Sequence, residues 1–331
     1  MTAVGAFCIG TNQLALDDLA RAGVAAFNAP FSNTRSVVEL VISEIIALAR
    51  RLGDRNTQMH HGVWRKSAIG SHEVRGRTLG IVGYGNIGAQ VSVLAEALGL
   101  SVMYYDVADK LPMGNAHRCD SLEELLQSVD VVTVHVDGRA DNTLLFGEQE
   151  FSMMRPRSLF LNLSRGHVVD VAALADNLRT GHLAGAAVDV YPSEPRSGDE
   201  PFVSELQSLD NVILTPHVGG STQEAQIDIG RYVAGKLIDY SERASTSMSV
   251  NLPDITTGAT PGARIGHLHL NMPGIMADLN RLVADHGGNV TYQALATRGE
   301  LGYTVLDIDE TDRELLVDVT RLEGTIRARV L

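Results

Sequence analysis

The stretch Leu79-Gly80-Ile81-Val82-Gly83-Tyr84-Gly85-Asn86-Ile87-Gly88 decides how this chain folds. Its first four residues read as a strand, and 89–98 beyond it carry helical spacing. Alone, a G-x-G-x-x-G word matches often by chance; between a strand and a helix it describes a phosphate-binding turn. Gly83 makes the tight turn, Gly85 lets backbone N–H groups approach a pyrophosphate, and Gly88 lets helix and strand pack closely. Asn86 and Ile87 open the helix, at the positive end that faces the phosphates. A second strand, 102–105, ends in Asp106. An acid there, about 20 residues past the glycines, suits a hydrogen bond to a ribose 2′-hydroxyl and repels a 2′-phosphate, which points to NAD over NADP. A solvated turn residue is the competing reading of Asp106.

Working outward, the runs 129–136, 159–163, 185–190 and 212–214 read as further strands between helical stretches. That alternation builds a parallel, doubly wound sheet. Upstream, 37–49 reads as a long, mostly buried helix, and residues 1–32 hold two apolar patches, 4–9 and 24–27, around a polar helix-like stretch. Downstream, 222–241 has helical spacing and 251–262 reads as a linker. The pattern then resets. Strand 264–270, helix 274–286, strands 289–297 and 303–308, helix 311–322 and strand 325–331 give the β-α-β-β-α-β order of a ferredoxin-like domain. The expected fold class is α/β: a doubly wound parallel Rossmann-type sheet plus a C-terminal ferredoxin-like domain.

With 331 residues, 44% of them hydrophobic, the chain has material for about two domains and a sizeable core. A net charge of −13 argues against nucleic acid or an anionic membrane as a general partner. Two cysteines, Cys8 and Cys119, supply no disulfide framework and suit a reducing cytoplasm. No apolar run approaches the ~18 residues of a membrane span.

Three further words carry polar groups at or just past short apolar runs: Asn162-Leu163-Ser164-Arg165-Gly166, Tyr191-Pro192-Ser193-Glu194-Pro195 and Leu214-Thr215-Pro216-His217-Val218-Gly219-Gly220. In a doubly wound sheet, loops at the carboxyl ends of strands form the ligand crevice. Hydride chemistry on a 2-hydroxy acid needs three things that these words contain. Arg165 can hold a substrate carboxylate bidentately. His217 can take the proton of the C2 hydroxyl as hydride leaves C2, and Glu194 can orient the imidazole and stabilise its charged form. The alternative is three polar residues in unrelated surface loops.

The chain resembles the bacterial ACT-domain phosphoglycerate dehydrogenases, a branch of the D-2-hydroxy acid dehydrogenase family, essentially end to end. Besides the words above, the resemblance rests on Phe7-Cys8-Ile9-Gly10-Thr11-Asn12-Gln13, Phe27-Asn28-Ala29-Pro30-Phe31-Ser32-Asn33-Thr34-Arg35-Ser36-Val37 and Gly220-Ser221-Thr222-Gln223-Glu224-Ala225-Gln226. It continues through Asn271-Met272-Pro273-Gly274 and Gly324-Thr325-Ile326-Arg327-Ala328-Arg329. It implies NAD-dependent oxidation of 3-phosphoglycerate to 3-phosphohydroxypyruvate, the first step of L-serine synthesis, in a cytoplasmic homo-oligomer built as a dimer of dimers. Arg165, Glu194 and His217 fall on the family's catalytic positions, and Asp189 where the family holds the nicotinamide carboxamide, a strand-end acid capping a turn being its competing reading. Asn33 and Gln226 match positions at the substrate end of the cleft. The C-terminal domain becomes an ACT domain with L-serine as effector, and His269, Asn271 and Asn289 match its effector-binding positions. His267 and His269 share a strand face, so a metal site is a competing reading; without a nearby Cys or carboxylate pair, no metal is expected, and His267 reads equally as a satisfied structural histidine.

The resemblance also divides the chain. Residues 1–32 correspond to the tail of a substrate lobe whose larger part precedes the first word here, 33–219 to the NAD domain, 220–262 to a return helix and linker, and 263–331 to the ACT domain. The lobe's phosphate-clamping basic residues lie outside this chain. Two other readings follow: a different D-2-hydroxy acid dehydrogenase, including one that reduces 2-oxoglutarate, or a non-catalytic NAD- and serine-binding protein. Asp137, where the family usually carries proline, and Asn142 depart from its pattern near the adenine end. Trp64, the lone tryptophan, reads either as core or as an anchor packed on a second subunit.

Overall fold

In chain order the elements are β1 (Ala3–Gly5), α1 (Leu16–Arg21), β2 (Ala25–Phe27), α2 (Thr34–Ala49), α3 (Leu52–His60), β3 (Thr78–Val82), α4 (Asn86–Ala97), β4 (Ser101–Tyr105), β5 (His117–Arg118) and α5 (Leu122–Ser128). Then come β6 (Val131–Val134), α6 (Glu148–Met153), β7 (Ser158–Asn162), α7 (Val171–Arg179), β8 (Leu183–Val188), β9 (Val212–Leu214) and α8 (Gln223–Arg243). The chain closes with β10 (Ala263–Leu270), α9 (Ile275–Asp285), β11 (Val290–Arg298), β12 (Leu301–Ile308), α10 (Arg313–Arg321) and β13 (Thr325–Val330). This computed structural model describes every residue except 12, 196, 261 and 310–312, together with the side chain of Arg313; Asn12, Pro261 and Thr311 of the sequence reading lie outside it. The chain divides into two compact units, 33–225 and 1–32 with 226–331.

The first unit is the doubly wound sheet. Its seven strands run parallel in the order β5-β4-β3-β6-β7-β8-β9, so the order reverses between β3 and β6, beside the glycine turn. Helices cover both faces, which is why Val131-Val132-Thr133-Val134 is buried at all four positions. One face packs Phe146, Phe151 and Phe160; the other packs Val38, Val41 and Ile45 of α2 against Leu79 and Ile81. Side-chain caps set two helix starts: Ser121 accepts from Glu124 N for α5, and Asp170 accepts from Ala172 N and Ala173 N for α7. α3 was not anticipated in the sequence, because it buries none of its residues and so carries no periodic apolar stripe.

The second unit contains the ferredoxin-like sheet, antiparallel in the order β11-β12-β10-β13. Leu279 and Val283 of α9, with Leu315 and Val319 of α10, pack with Ile265, Leu306 and Ile308. Leu268, Tyr303 and Val305 belong to a second cluster with Phe27, Tyr240, Leu252 and Ile255. The described residues of 251–262 form no helix or strand, yet the first half of this stretch is not a loose tether. Asn251 is buried, its Oδ1 accepting from Ala26 N at 2.8 Å and its Nδ2 donating to Val24 O at 2.9 Å. Linker-like composition concealed this, because the side chain that holds the segment pairs with backbone more than 200 residues away. Arg264 and Asp307 form a buried bidentate pair at 2.6 and 2.7 Å, and Arg264 also donates to the carbonyls of Arg243 and Gly258. Among the described residues no helix is long and apolar enough to cross a membrane.

Candidate active site

The glycine turn has the backbone that its three glycines require. Gly83 sits at φ +92°, a region costly for other L-residues, and a Cβ there would lie 2.6 Å from His135 O. A Cβ on Gly88 would strike Gly83 O, whereas one on Gly85 would enter open space. The second glycine, the N-cap of α4, therefore borders open space at the N-terminus of that helix. Asp106 accepts from Tyr84 N at 2.7 Å and from Ala108 N at 2.8 Å. It braces the turn, and each carboxylate oxygen keeps a further lone pair for a ribose hydroxyl. This donor and acceptor set fits a dinucleotide. Tyr84, left unassigned by the sequence reading, stacks on Tyr104 at 3.9 Å and pairs its hydroxyl with Ser92 at 2.7 Å. Asp137 and Asn142, the two departures from the family pattern, bond to each other at 2.9 Å.

His217 and Glu194 come together. His217 Nδ1 lies 2.9 and 3.1 Å from the two Glu194 oxygens, and Glu194 also accepts from Tyr191 N at 3.1 Å. Both side chains border a cleft of about 370 Å³ with Tyr191, Phe202 and Thr215. His217 stands at φ +54°, a left-handed backbone uncommon outside glycine. Asp189, 1% exposed at the end of β8, holds it there. Its carboxylate accepts from Thr215 Oγ1 at 2.5 Å, Val218 N at 2.9 Å and Gly219 N at 2.8 Å, gripping the loop on both sides of His217. Sequence reasoning gave Thr215 no role; its place two residues before the histidine was the available signal.

Arg165 follows β7, next to β8 in the sheet. It does not line the His217 cleft; its Nη1 donates to Ser164 O at 2.7 Å and its stem lies beside Gly138. Asn162 shapes the turn that carries it, accepting from Ser164 N and Oγ and donating to Arg165 O. Gly166 joins this loop to the next, since any Cβ there would land on the Tyr191 carbonyl. The loops bearing Arg165 and Glu194 are thus in backbone contact.

Glu44 was missed, although it stands in the buried stripe of α2 with Val37, Val41 and Ile45. It is 3% exposed and neither carboxylate oxygen has a hydrogen-bond partner among the described residues. Burial, with the charge of Asp189 second, pushes its carboxyl up to about 8. A group raised in the folded state stabilises fully below its unfolded value, and that contribution is lost as pH rises through about 8. Glu44→Gln, uncharged throughout, is therefore expected to match the parent in thermal unfolding near pH 5 and to exceed it by a few kcal/mol above pH 8. An equal difference at both pH values would show that Glu44 does not titrate in this range.

The remaining candidates are dispersed. Asn33 N-caps α2 without a side-chain cap bond, lies against Gly220, and leaves its buried Oδ1 unpartnered. Gln226 is exposed on α8 and belongs to the other unit. His269 is buried, with Nδ1 2.8 Å from Leu270 O and Nε2 3.0 Å from Thr304 Oγ1, so both ring nitrogens are engaged within the domain. His267, 4.9 Å away between ring centroids, pairs with Thr325, and burial pushes it down to about 3. Among the described residues no group of three His, Cys, Asp or Glu could hold a metal. Asn271 and Asn289 are exposed. The sheet register levels Leu270 with Leu301 and Arg298, and Val290 with Ile308 and Ala263. The two asparagines thus sit at opposite ends of the sheet, roughly 25 Å apart at about 3.3 Å per residue. Trp64 is 80% exposed, which overturns its core reading.

With this geometry in view, residues 42–219 match the family described as D-isomer specific 2-hydroxyacid dehydrogenase, NAD binding domain, and residues 265–327 match the AHAS small subunit-like ACT domain. The chain belongs to the D-isomer specific 2-hydroxyacid dehydrogenase family. More narrowly, it is 49% identical to the D-3-phosphoglycerate dehydrogenase of Escherichia coli K12 over 334 residues, covering 100% of this chain and 82% of that protein. The D-3-phosphoglycerate dehydrogenase of Dictyostelium discoideum is 47% identical, with 100% of this chain and 81% of that one covered. A solved D-2-hydroxyisocaproate dehydrogenase aligns with a TM-score of 0.71 at 26% identity, over 76% of this chain and 79% of its own.

Proposed function

We propose that this chain interconverts 3-phosphoglycerate and 3-phosphohydroxypyruvate with NAD, feeding L-serine synthesis under inhibition by L-serine. The observation that carries this reading is the His217–Glu194 pair, 2.9 Å apart at the carboxyl ends of strands in a sheet whose glycine turn suits a dinucleotide. Bound NAD supplies the acceptor for the C2 hydride. Gly83, Gly85, Asn86, Ile87 and Gly88 would seat its pyrophosphate and Asp106 its ribose. Arg165, freed from Ser164 O, would pair with the substrate carboxylate and fix which face of C2 is presented. In the oxidative direction His217 takes the proton of the C2 hydroxyl, leaving a carbonyl at C2. In the reverse direction the imidazolium returns that proton to the oxygen, and Glu194 stabilises its charge. Asp189 would act through the loop it grips, with the nicotinamide carboxamide as a further partner, and Asn33 and Gln226 would line the substrate end.

The regulatory half of the reading needs more than one copy. A small effector such as L-serine cannot touch Asn271 and Asn289 of one domain at once. Two β11 edges paired antiparallel would instead bring Asn289 of the partner subunit to the Asn271 end. Asn271 and Asn289 are therefore the groups that would meet serine, with His269 shaping the sheet beneath. Trp64 would anchor a second contact between subunits, giving a dimer of dimers. If Trp64→Ala sediments as the parent does at low concentration, that contact is not made by Trp64. Cys8 and Cys119 are both unpaired thiols, which supports a cytoplasmic setting.

The test is NADH oxidation with 3-phosphohydroxypyruvate, with and without L-serine. Turnover suppressed by serine, and released from serine by Asn271→Ala, is the expected result. Preference for an unphosphorylated 2-oxo acid would identify a different dehydrogenase. NAD and serine binding without turnover would identify a binding protein.

A further inference from the structure

The chain carries a net charge of −13, yet across residues 50–77 Lys and Arg outnumber Asp and Glu by seven to two. Part of that basic segment lines two adjoining cavities, of about 250 and 430 Å³, at the amino end of the parallel sheet. This is the end opposite His217, and nothing in the proposed chemistry uses it. Both cavities are bordered by Arg77, Arg157, His72 and Asp130, and Arg155 borders one of them. Asp130 is the single carboxylate among the described residues of either lining, and it is already engaged. Its Oδ2 accepts from Thr78 N at 2.9 Å, while its Oδ1 lies 3.4 Å from Arg155 and 4.0 Å from Arg77. Positive charge at this end therefore exceeds the negative charge facing it.

Two independent features mark the place as built for a ligand. Ser158 is buried at the first position of β7, lines the larger cavity, and its hydroxyl has no hydrogen-bond partner among the described residues. A buried hydroxyl without a partner is costly unless something completes it. The second feature is the turn Arg155-Pro156-Arg157-Ser158, closed by Ser158 N donating to Arg155 O at 3.1 Å. Arg157 holds its third position at φ +68°, where a proline-led turn of this kind favours glycine or asparagine. An arginine kept in an unfavourable backbone points to a use for its guanidinium. Among the described residues that guanidinium makes one weak bond, 3.4 Å to Gly181 O.

We infer that the amino end of this sheet binds a small phosphate-type oxyanion, held by Arg157, Arg77 and Arg155 and completed by the Ser158 hydroxyl. Forked guanidinium donors and a hydroxyl donor suit tetrahedral oxygens, and free phosphate and a phosphate monoester present the same chemistry.

The experiment is thermal unfolding and calorimetric titration of the full chain with inorganic phosphate at constant ionic strength, with NAD present so that the glycine turn is filled. A saturable rise in unfolding temperature is expected. Arg157→Gly suits the turn backbone, so its phosphate-free unfolding temperature should equal or exceed the parent's while its phosphate affinity falls at least tenfold. Glycerol phosphate binding as well would support the site and assign it to ester phosphates; binding of inorganic phosphate alone would assign it to the free anion. An equal response in Arg157→Gly, the same rise with sodium chloride, or a rise that NAD abolishes would overturn the proposal.

Discussion

Replacing His217 with alanine is expected to lower kcat for 3-phosphohydroxypyruvate reduction by roughly 10²–10⁴-fold, the usual contribution of a positioned acid–base group. NAD affinity should stay at the parent value, because the glycine turn and Asp106 lie at other strand ends and share no hydrogen bond with His217. Stopped-flow turnover together with cofactor titration separates the two quantities. A parallel loss of both would mean that His217 holds the site together rather than moving a proton. Glu194→Gln tests the partner. It keeps a hydrogen-bond acceptor near Nδ1 but removes the charge, so kcat should fall while the fold is untouched. The bonds from Thr215, Val218 and Gly219 to Asp189 make a different forecast for Asp189→Ala. There the left-handed histidine loses its grip, and both kcat and thermal stability should drop.

Replacing Arg264 with methionine is expected to cost about 3–5 kcal/mol, because Asp307 would be left charged, buried and unpaired. The side chains of the pair are only 3% and 8% exposed, so water cannot take over the lost partner. For a unit of this size the unfolding midpoint of the ferredoxin-like half should fall by roughly 10 °C or more. The double variant Arg264→Met/Asp307→Leu should recover much of the loss, since an apolar pair of similar volume often equals a buried ion pair. Calorimetry would follow both variants. A single variant as stable as the parent would mean that Asp307 finds another partner or a proton. Arg264 also ties the backbone of Arg243 and Gly258, so the single variant should increase protease cleavage within 251–262.

Much of the architecture was legible because it is local. The glycine word, flanked by strand and helix patterns, set the doubly wound sheet, and the runs predicted at 129–136, 159–163, 185–190 and 212–214 contain the cores of β6, β7, β8 and β9. The β-α-β-β-α-β tail was legible for the same reason, although β10 and β12 are buried almost throughout, with Ile265, Leu306 and Ile308 in the cluster of α9 and α10 and Leu268, Tyr303 and Val305 in a second one. α3 was not, because a helix with no buried residue leaves no periodic trace. Glu44 was hidden differently. It occupies a core position of α2, and reading the stripe from its apolar members passes over a charged residue.

Residue order and periodicity thus determined most strands of the parallel and ferredoxin-like sheets, though not β1, β2 or β5, and which loops carry Arg165, Glu194 and His217. Those are matters of near neighbours, and near neighbours are what a sequence records. Packing alone decided the rest. Asp189 clamps groups 26, 29 and 30 residues away, and Asn251 ties down a strand 225 residues before it. Arg264 finds its carboxylate 43 residues on. Such partners are set by where the backbone returns in space, and a buried polar group must pair wherever that return leaves it.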